Sequence, residues 1–391
     1  MVLNSLSRLS VAMLTKEWPP EIYGGAGVHV SNLVAAMKQR SEIDVKVHCF
    51  GQPRNDADSF ELDENFKTLN SAEQTLLINL DMATAISNFE LVHSHTWYTN
   101  FAGFLFSQIT DKPHVMTAHS LEPLRPWKAD QLGSGYAITS WIEKKAIENA
   151  AAVISVSDGM KKDILKHYPE VDPKRVVTIR NGIDSAEFSP KFNEDKLRKL
   201  GISGEYALFV GRITRQKGLV HLLRAWQNVP SKFGLVIAAS NPDESKIADE
   251  VAQLIQELQD SRKNVIWIKK VLPKNDLVNL LTSATVFVCP SIYEPLGIVN
   301  LEAMACETAV VASNVGGIPE VVKNNETGIL IDFQEDSSTY EFKLAEAITR
   351  VLSDKTLAHE LGVAGRKRAV AEFGWDKVVA ETLKLYRSLN V

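Results

Sequence analysis

Three loops in this sequence carry residue types that handle phosphates and sugar hydroxyls. The most specific runs Ser291-Ile292-Tyr293-Glu294-Pro295-Leu296-Gly297-Ile298-Val299-Asn300-Leu301-Glu302. It follows the apolar run 286–289, and Pro295 and Gly297 mark a loop that turns into a helix reaching Cys306. At such a helix start the amides of Gly297, Ile298 and Val299 lack intrahelical acceptors, which suits an anion. Glu294 stands just before the start, and Glu302 lies about 7.5 Å past Gly297 along a helix axis. Two carboxylates so placed could grip hydroxyls on either side of a phosphate, the layout of a sugar joined through a diphosphate to a ribose. With no ligand at all, the same acids would complement the helix dipole.

The second loop, Val210-Gly211-Arg212-Ile213-Thr214-Arg215-Gln216-Lys217-Gly218, sets Arg212 and Lys217 between an apolar run and a glycine. Arginine offers a planar fork and lysine a point charge, a pairing that suits a diphosphate and also occurs on plain solvated loops. The third, Pro19-Pro20-Glu21-Ile22-Tyr23-Gly24-Gly25-Ala26-Gly27, lies between a strand-like and a helix-like segment. Its glycines would let a ligand approach the backbone and the free amides of the following helix, or would simply make a tight turn. It has neither the third glycine of a dinucleotide fingerprint nor the Gly-Lys-Ser/Thr of a P-loop.

His93, His95 and Trp97 follow one apolar run, and His119, followed by Ser120, closes another. A lone histidine is usually structural, but His119 at a strand's end is the best placed to face a ligand. No carboxylate or cysteine stands at ligand spacing, so no metal is expected. Trp97, Trp127 and Trp141 fit a core and equally a platform for sugar rings. Gly133-Ser134-Gly135 lacks the spacing of a nucleophile elbow.

The elements that must position these residues follow from periodicity. Ile43, Val45, Val47 and Cys49 alternate with polar residues, as a strand does, while Val30, Leu33, Val34 and Met37 fall on one helical face. Further strands are expected at 8–14, 91–94, 114–117, 153–156 and 176–179. Residues 180–192 break the pattern and mark a domain boundary. Strands then resume at 206–210, 235–239, 265–268, 286–289, 310–312 and 329–331, with helices at 219–227 and 244–258 among those between. A last helix spans 375–391, with Val378, Val379, Thr382, Leu383, Tyr386 and Leu389 on its apolar face. Such alternation predicts parallel, doubly wound sheets with ligands at the carboxyl ends of their strands.

The bulk composition bounds the reading. The 391 residues suit two or three domains, and 45% hydrophobic with 23% charged residues suits a globular chain. A net charge of −5 argues against a nucleic-acid groove. Cys49, Cys289 and Cys306 are far apart and form no CxxC, which predicts neither disulfides nor zinc and fits a reducing compartment. The amino terminus does not read as a signal peptide, and no apolar run is long enough for a membrane span. A cytoplasmic enzyme is expected.

Taken together, the motifs resemble the retaining nucleotide-sugar glycosyltransferases of family 4, which have the GT-B fold. The resemblance rests on Gly24-Gly25, Arg212 with Lys217, and Glu294 separated by seven residues from Glu302. Arg180-Asn181-Gly182-Ile183-Asp184 and Gly316-Gly317-Ile318-Pro319-Glu320 fit as well. Lys16-Glu17-Trp18-Pro19-Pro20, His119-Ser120-Leu121-Glu122-Pro123 and Trp141-Ile142-Glu143 are similar to the short-type bacterial glycogen synthases. That subgroup extends α-1,4-glucan from ADP-glucose, and it includes relatives that glucosylate glucose 1-phosphate to give maltose 1-phosphate.

The resemblance implies two Rossmann-like domains facing a central cleft. Residues 1–185 would be the acceptor domain, 186–370 the donor domain, and 371–391 a helix crossing back to the first. It implies transfer of α-glucose from a nucleotide-glucose, ADP-glucose favoured, to the 4-OH of an α-1,4-glucan, with glucose 1-phosphate as the alternative acceptor. A nucleotide-sugar epimerase on the same fold is a further reading. Arg212 and Lys217 would hold the departing diphosphate, helped by Gly24, Gly25 and the amides of Gly297, Ile298 and Val299. Glu294 would bind hydroxyls of the glucose, Glu302 the ribose, and His119 the sugar beside its anomeric carbon, with Tyr293 and Asp158 as lesser contacts. Ile22 stands where long-chain synthases carry a lysine, with Lys16 as the candidate replacement, and Leu296 stands where they carry cysteine. The donor is a co-substrate, and no cofactor or metal is implied because Arg212 and Lys217 supply the neutralising charge. The expected partners are the donor and an α-glucan or small glucose phosphate, with no nucleic acid and no membrane. Whether the chain forms a homo-oligomer is left open.

Overall fold

In a computed structural model of the chain, the described residues are 8–240, 242, 244–334 and 336–389, less the side chains of Asp130 and Gln131. They fall into two compact units, Met1–Gly182 with Trp375–Val391 and Ile183–Gly374.

The first unit holds β1 (Leu9–Thr15), β2 (Ile43–Phe50), β3 (Asp58–Phe60), β4 (Leu91–His95), β5 (His114–Ala118), β6 (Ala152–Ser155) and β7 (Val176–Thr178). They form one sheet in the order β3-β2-β1-β4-β5-β6-β7, and every pairing is parallel. Its helices are α1 (Gly25–Met37), α2 (Ser71–Ala85), α3 (Trp97–Thr110), α4 (Lys128–Leu132), α5 (Gly135–Asn149) and α6 (Asp158–His167). Strand alternation on β1 feeds two helical layers. Val11 and Met13 bury against Val30, Leu33, Val34 and Met37 of α1, while Ala12 and Leu14 bury against Met82 of α2 and Ala102 and Phe106 of α3. Each large side chain so buried contributes about 1.5–3 kcal/mol.

The second unit repeats the scheme. Its strands are β8 (Tyr206–Arg212), β9 (Gly234–Ser240), β10 (Val265–Ile268), β11 (Val286–Cys289), β12 (Ala309–Ser313) and β13 (Ile329–Ile331), in the order β10-β9-β8-β11-β12-β13 and all parallel. Its helices are α7 (Glu194–Lys199), α8 (Leu219–Trp226), α9 (Ser245–Ser261), α10 (Lys274–Ser283), α11 (Ile298–Ala305), α12 (Ile318–Val321), α13 (Ser337–Ser353) and α14 (Lys355–Glu372). The last helix, α15 (Trp375–Arg387), belongs to the first unit, where Val378, Val379, Leu383 and Tyr386 enter the same cluster as Met13. Residues 390 and 391 of the helix expected over 375–391 lie outside the described residues.

The doubly wound α/β class expected from the sequence is the observed one. The strand β3 was not visible in the pattern because its three residues are all half-buried and carry no apolar run. In each sheet the strand order reverses at one point, between β1 and β4 and between β8 and β11. The crevice outside the carboxyl ends at such a reversal is where open α/β sheets bind ligands. The three loops singled out above leave β1, β8 and β11, and His95 ends β4.

Packing within the second unit depends on close backbone approach at α14. A Cβ on Gly362 would stand 2.1 Å from the carbonyl oxygen of Glu307. Glycine to alanine in an open helix gains about 1 kcal/mol. Here Gly362→Ala should instead lose about 1–3 kcal/mol by overpacking, read as a lower denaturant midpoint at unchanged slope. A raised midpoint would contradict this packing.

Candidate active site

In the second unit two loops meet backbone to backbone. β8 ends at Arg212, a single 3-10 turn covers Arg215–Lys217, and Gly218 takes φ +63 before α8. A Cβ at Gly218 would lie 1.9 Å from the Pro290 carbonyl oxygen, and Ile292 donates its amide to Gln216 O at 2.9 Å. Only glycine allows that approach, and it brings two side chains together. Lys217 Nζ donates to Glu294 Oε2 at 2.7 Å, and Ser291 Oγ donates to the same oxygen at 3.1 Å. The Glu294 residue is 7% exposed. Burial opposes the charge on Lys217, but the Glu294 carboxylate outweighs it and holds the ammonium above its ordinary value.

The Gly316-Gly317 pair holds the backbone of Glu294 itself. Gly317 donates its amide to Glu294 O at 2.9 Å, and Gly316, at φ +53, would place a Cβ 2.1 Å from that oxygen. The sequence reading took this pair only as a family marker and missed its positioning role. Gly297, at φ +95, precedes α11, and no side chain caps the helix there. Ile298 and Val299 form its first turn, and the buried side-chain amide of Asn300 has neither atom hydrogen-bonded. Glu302 follows on α11. Burial pushes its carboxyl up to about 7, with Glu187 adding to the rise and Lys274 and Lys217 opposing it. Arg212 is exposed at the end of β8, and Tyr293 is half-buried beside Glu294. The residues predicted to meet a diphosphate-linked sugar in this unit therefore lie on the two loops at the strand reversal and on α11.

The first unit gathers histidines instead. His119 follows β5, His95 ends β4, His93 lies two residues earlier on β4, and His29 comes from α1. His95 Nδ1 and His119 Nε2 are 3.0 Å apart, and His95 Nε2 lies 3.0 Å from Met13 Sδ. His93 bonds Tyr386 Oη at 2.6 Å and Thr117 Oγ1 at 2.7 Å. Burial, before any neighbouring charge, holds His29, His93, His95 and His119 below the usual histidine range. Nitrogens of His29, His95 and His119 lie within 4.8 Å of one another. A metal could use all three only if His95 gave up one of its two present partners. The spacing of His93 and His95 puts both on one face of a strand, the one signal that could have disclosed this cluster.

The glycine loop departs from expectation. Glu17 Oε2 accepts the amides of Tyr23 at 3.0 Å and Gly24 at 2.8 Å, so these amides are not open to a ligand. A Cβ on Gly27 would lie 2.6 Å from that oxygen and 2.7 Å from Glu17 Cβ, so Gly27 is required by Glu17, while one on Gly24 would lie 3.1 Å from Glu17 Oε1. Gly25 opens α1. Lys16 lays its ammonium 3.8 Å from the Tyr98 ring centroid, and burial lowers its affinity for a proton. Asp158 has both oxygens engaged, by Thr178 Oγ1 at 2.7 Å and Arg180 Nη2 at 2.6 Å. Beyond His119, fully buried Glu122 accepts from Arg125 at 2.5 Å, from Lys128 at 2.9 Å and from Thr139 of α5 at 3.1 Å, and its amide donates to Glu143 of α5 at 2.8 Å, which pins the loop onto α5. Trp97 is buried, Trp127 half-buried and Trp141 47% exposed, so the three do not share one environment.

Comparison with known proteins decides the family. Residues 23–187 match the model for Glycosyltransferase Family 4, and residues 191–368 that for Glycosyl transferases group 1. An α-maltose-1-phosphate synthase of Mycolicibacterium smegmatis is 49% identical over 388 residues, 98% of this chain and 100% of that one. The chain belongs to glycosyltransferase family 4. It is a hexosyltransferase. A glycogen synthase of Mycobacterium tuberculosis is 26% identical over 412 residues, covering 97% of this chain and 94% of that one. Among solved structures, the sucrose-phosphate synthase of Thermosynechococcus elongatus superposes with TM-score 0.81 at 26% identity, covering 98% of this chain and 99% of that one. Anabaena HepE in complex with UDP and glucose has the same fold, with TM-score 0.79 at 18% identity and 97% of this chain covered against 100% of that one. No helix of this glycosyltransferase, among the described residues, is long and apolar enough to cross a membrane.

The raised carboxyl of Glu302 has a consequence for stability. Folded, it keeps its proton up to about pH 7, whereas its ordinary value is 4.5, so between those values the folded state binds more protons. Stability should then fall as pH rises through that window. Buried Glu143, beside Glu122, is shifted the same way by desolvation. Glu302→Gln should flatten the fall in Tm between about pH 5 and about pH 8. A slope equal to that of the wild type would contradict the assignment.

Proposed function

We propose that this glycosyltransferase moves the glucosyl group of a nucleotide-glucose, ADP-glucose favoured, onto glucose 1-phosphate, with retention, giving maltose 1-phosphate. The observation that carries this is the end-to-end similarity to an α-maltose-1-phosphate synthase, 49% identical where the glycogen synthase is 26% identical. It ranks a hexose phosphate above an α-1,4-glucan as acceptor, the reverse of the order expected from the motifs.

The geometry supports the reading. A cation and a carboxylate held 2.7 Å apart suit the two sides of a sugar–phosphate linkage. Lys217, with Arg212, meets the phosphates, and Glu294 accepts from the glucose hydroxyls. The amides of Gly297, Ile298 and Val299 add the positive end of α11, Tyr293 lines the loop, and Glu302 takes the ribose hydroxyls. We assign His119 to a hydroxyl of the sugar. Lys16 has no salt-bridge partner among the described residues and is the cation we assign to the phosphate charge that Ile22 does not meet. Gly24 and Gly25 keep the backbone thin beside it.

In the reaction the bond from the anomeric carbon to the diphosphate oxygen breaks. The bond to the acceptor 4-oxygen forms on the same face, and the acceptor proton passes to the departing diphosphate. Groups already aimed at the developing charge contribute most, about 2.7–4 kcal/mol for one such donor. Glu294 is bonded to both Lys217 and Ser291, which makes it a poor nucleophile and favours front-face transfer over a covalent sugar–enzyme intermediate. No metal is assigned a role. Three buried cysteines without disulfides fit a reducing, cytoplasmic compartment.

A matrix of ADP-glucose and UDP-glucose against glucose 1-phosphate and glycogen, read by product mass, tests the proposal. The expected product is a disaccharide monophosphate formed only with glucose 1-phosphate. Chain extension of glycogen without that product would overturn the acceptor, and conversion of the donor alone would point to an epimerase.

A further inference from the structure

The histidine cluster contains one partner that cannot donate. Met13 Sδ, on β1, lies 3.0 Å from His95 Nε2. A thioether has lone pairs and no proton, so the hydrogen of that contact sits on His95 Nε2. His95 is fully buried and kept neutral, so its Nδ1 then has only a lone pair. That nitrogen faces His119 Nε2 at 3.0 Å, and His119 must be the donor. Neutral His119 therefore has no hydrogen on Nδ1, a nitrogen with no hydrogen-bond partner among the described residues. The opposite arrangement would set a lone pair of His95 against a lone pair of sulfur.

The His95 ring cannot easily turn away from this arrangement. His93 packs on it at 4.3 Å between centroids and is fixed at both nitrogens by Tyr386 of α15 and Thr117 of β5. We propose that Met13, acting through His95, fixes the Nε2-protonated form of His119 and so presents Nδ1 as a pure hydrogen-bond acceptor for a sugar hydroxyl. Met13 and His95 are positioning residues. The selectivity that follows is for a sugar bearing a hydroxyl at that position, against one bearing a carboxylate, whose lone pairs would face that of Nδ1. Only this naming of the sugar rests on the transfer reaction proposed above.

The test is ring-¹⁵N histidine labelling with long-range ¹H–¹⁵N correlation, in wild type and Met13→Leu. In wild type, His95 and His119 should both be protonated at Nε2. In Met13→Leu, His95 loses its acceptor, both rings should populate the Nδ1-protonated form, and kcat with nucleotide-glucose should fall about five- to tenfold at unchanged acceptor KM. Met13→Ile serves as a second variant should the first fail to fold. A wild-type His119 protonated at Nδ1, or an unchanged His119 form in the folded variant, overturns the proposal. The spectra contain no substrate, so their failure leaves the transfer reaction standing, and failure of transfer leaves the spectra standing.

Discussion

The contact between Lys217 and Glu294 holds together the candidate site of the second unit. Taking two charges out of water costs several kcal/mol per ion, and their mutual attraction offsets that only with good geometry and further hydrogen bonds. Here the geometry is imposed by backbone. Gly218 lets its loop touch Pro290, and Gly316 and Gly317 close on the Glu294 carbonyl, while Ser291 adds a second donor to the carboxylate. Three glycines with positive φ or close backbone contact thus serve one ion pair. A pair of apolar side chains would fill the same space at less cost but would offer nothing to a diphosphate or a hydroxyl.

The first unit solves a different problem with the same fold. Around the ends of β4 and β5 the buried side chains are uncharged histidines. Four histidines are held uncharged by burial, and their hydrogen bonds run through β1, β4, β5 and α15. The glycine loop, which in many α/β proteins receives an anion, here receives its own Glu17. The two strand reversals thus carry different chemistry, a paired lysine and carboxylate after β8 and β11 and a group of uncharged histidines around β4 and β5.

Much of this was legible in the sequence because the chemistry sits on loops that leave buried strands. Apolar runs place β8 and β11, and the residues just after them, Arg212, Lys217 and Glu294, must lie at carboxyl ends. What was not legible depends on chain segments distant from one another. Tyr386 reaches His93 across 293 positions, and Met13 comes from β1, His95 from β4 and His119 from the loop after β5, so beyond the alternation of His93 and His95 no local spacing signals them. The Gly24 and Gly27 loop was read as open to a ligand because a glycine required by a nearby side chain looks the same in sequence as one that admits a ligand. The motifs did not rank the two acceptors as the overall similarity does, because they lie on the loops expected to meet the donor.

The central claim is that Lys217 serves the diphosphate and not merely the fold. Calorimetric titration of ADP into the wild type and Lys217→Met tests it most directly, because methionine keeps the unbranched stem and removes the charged end with its hydrogen bonds. A charge-assisted hydrogen bond contributes about 1.5–3 kcal/mol, so Kd should rise by roughly ten- to a hundredfold in a variant that remains folded. An unchanged Kd would contradict the account.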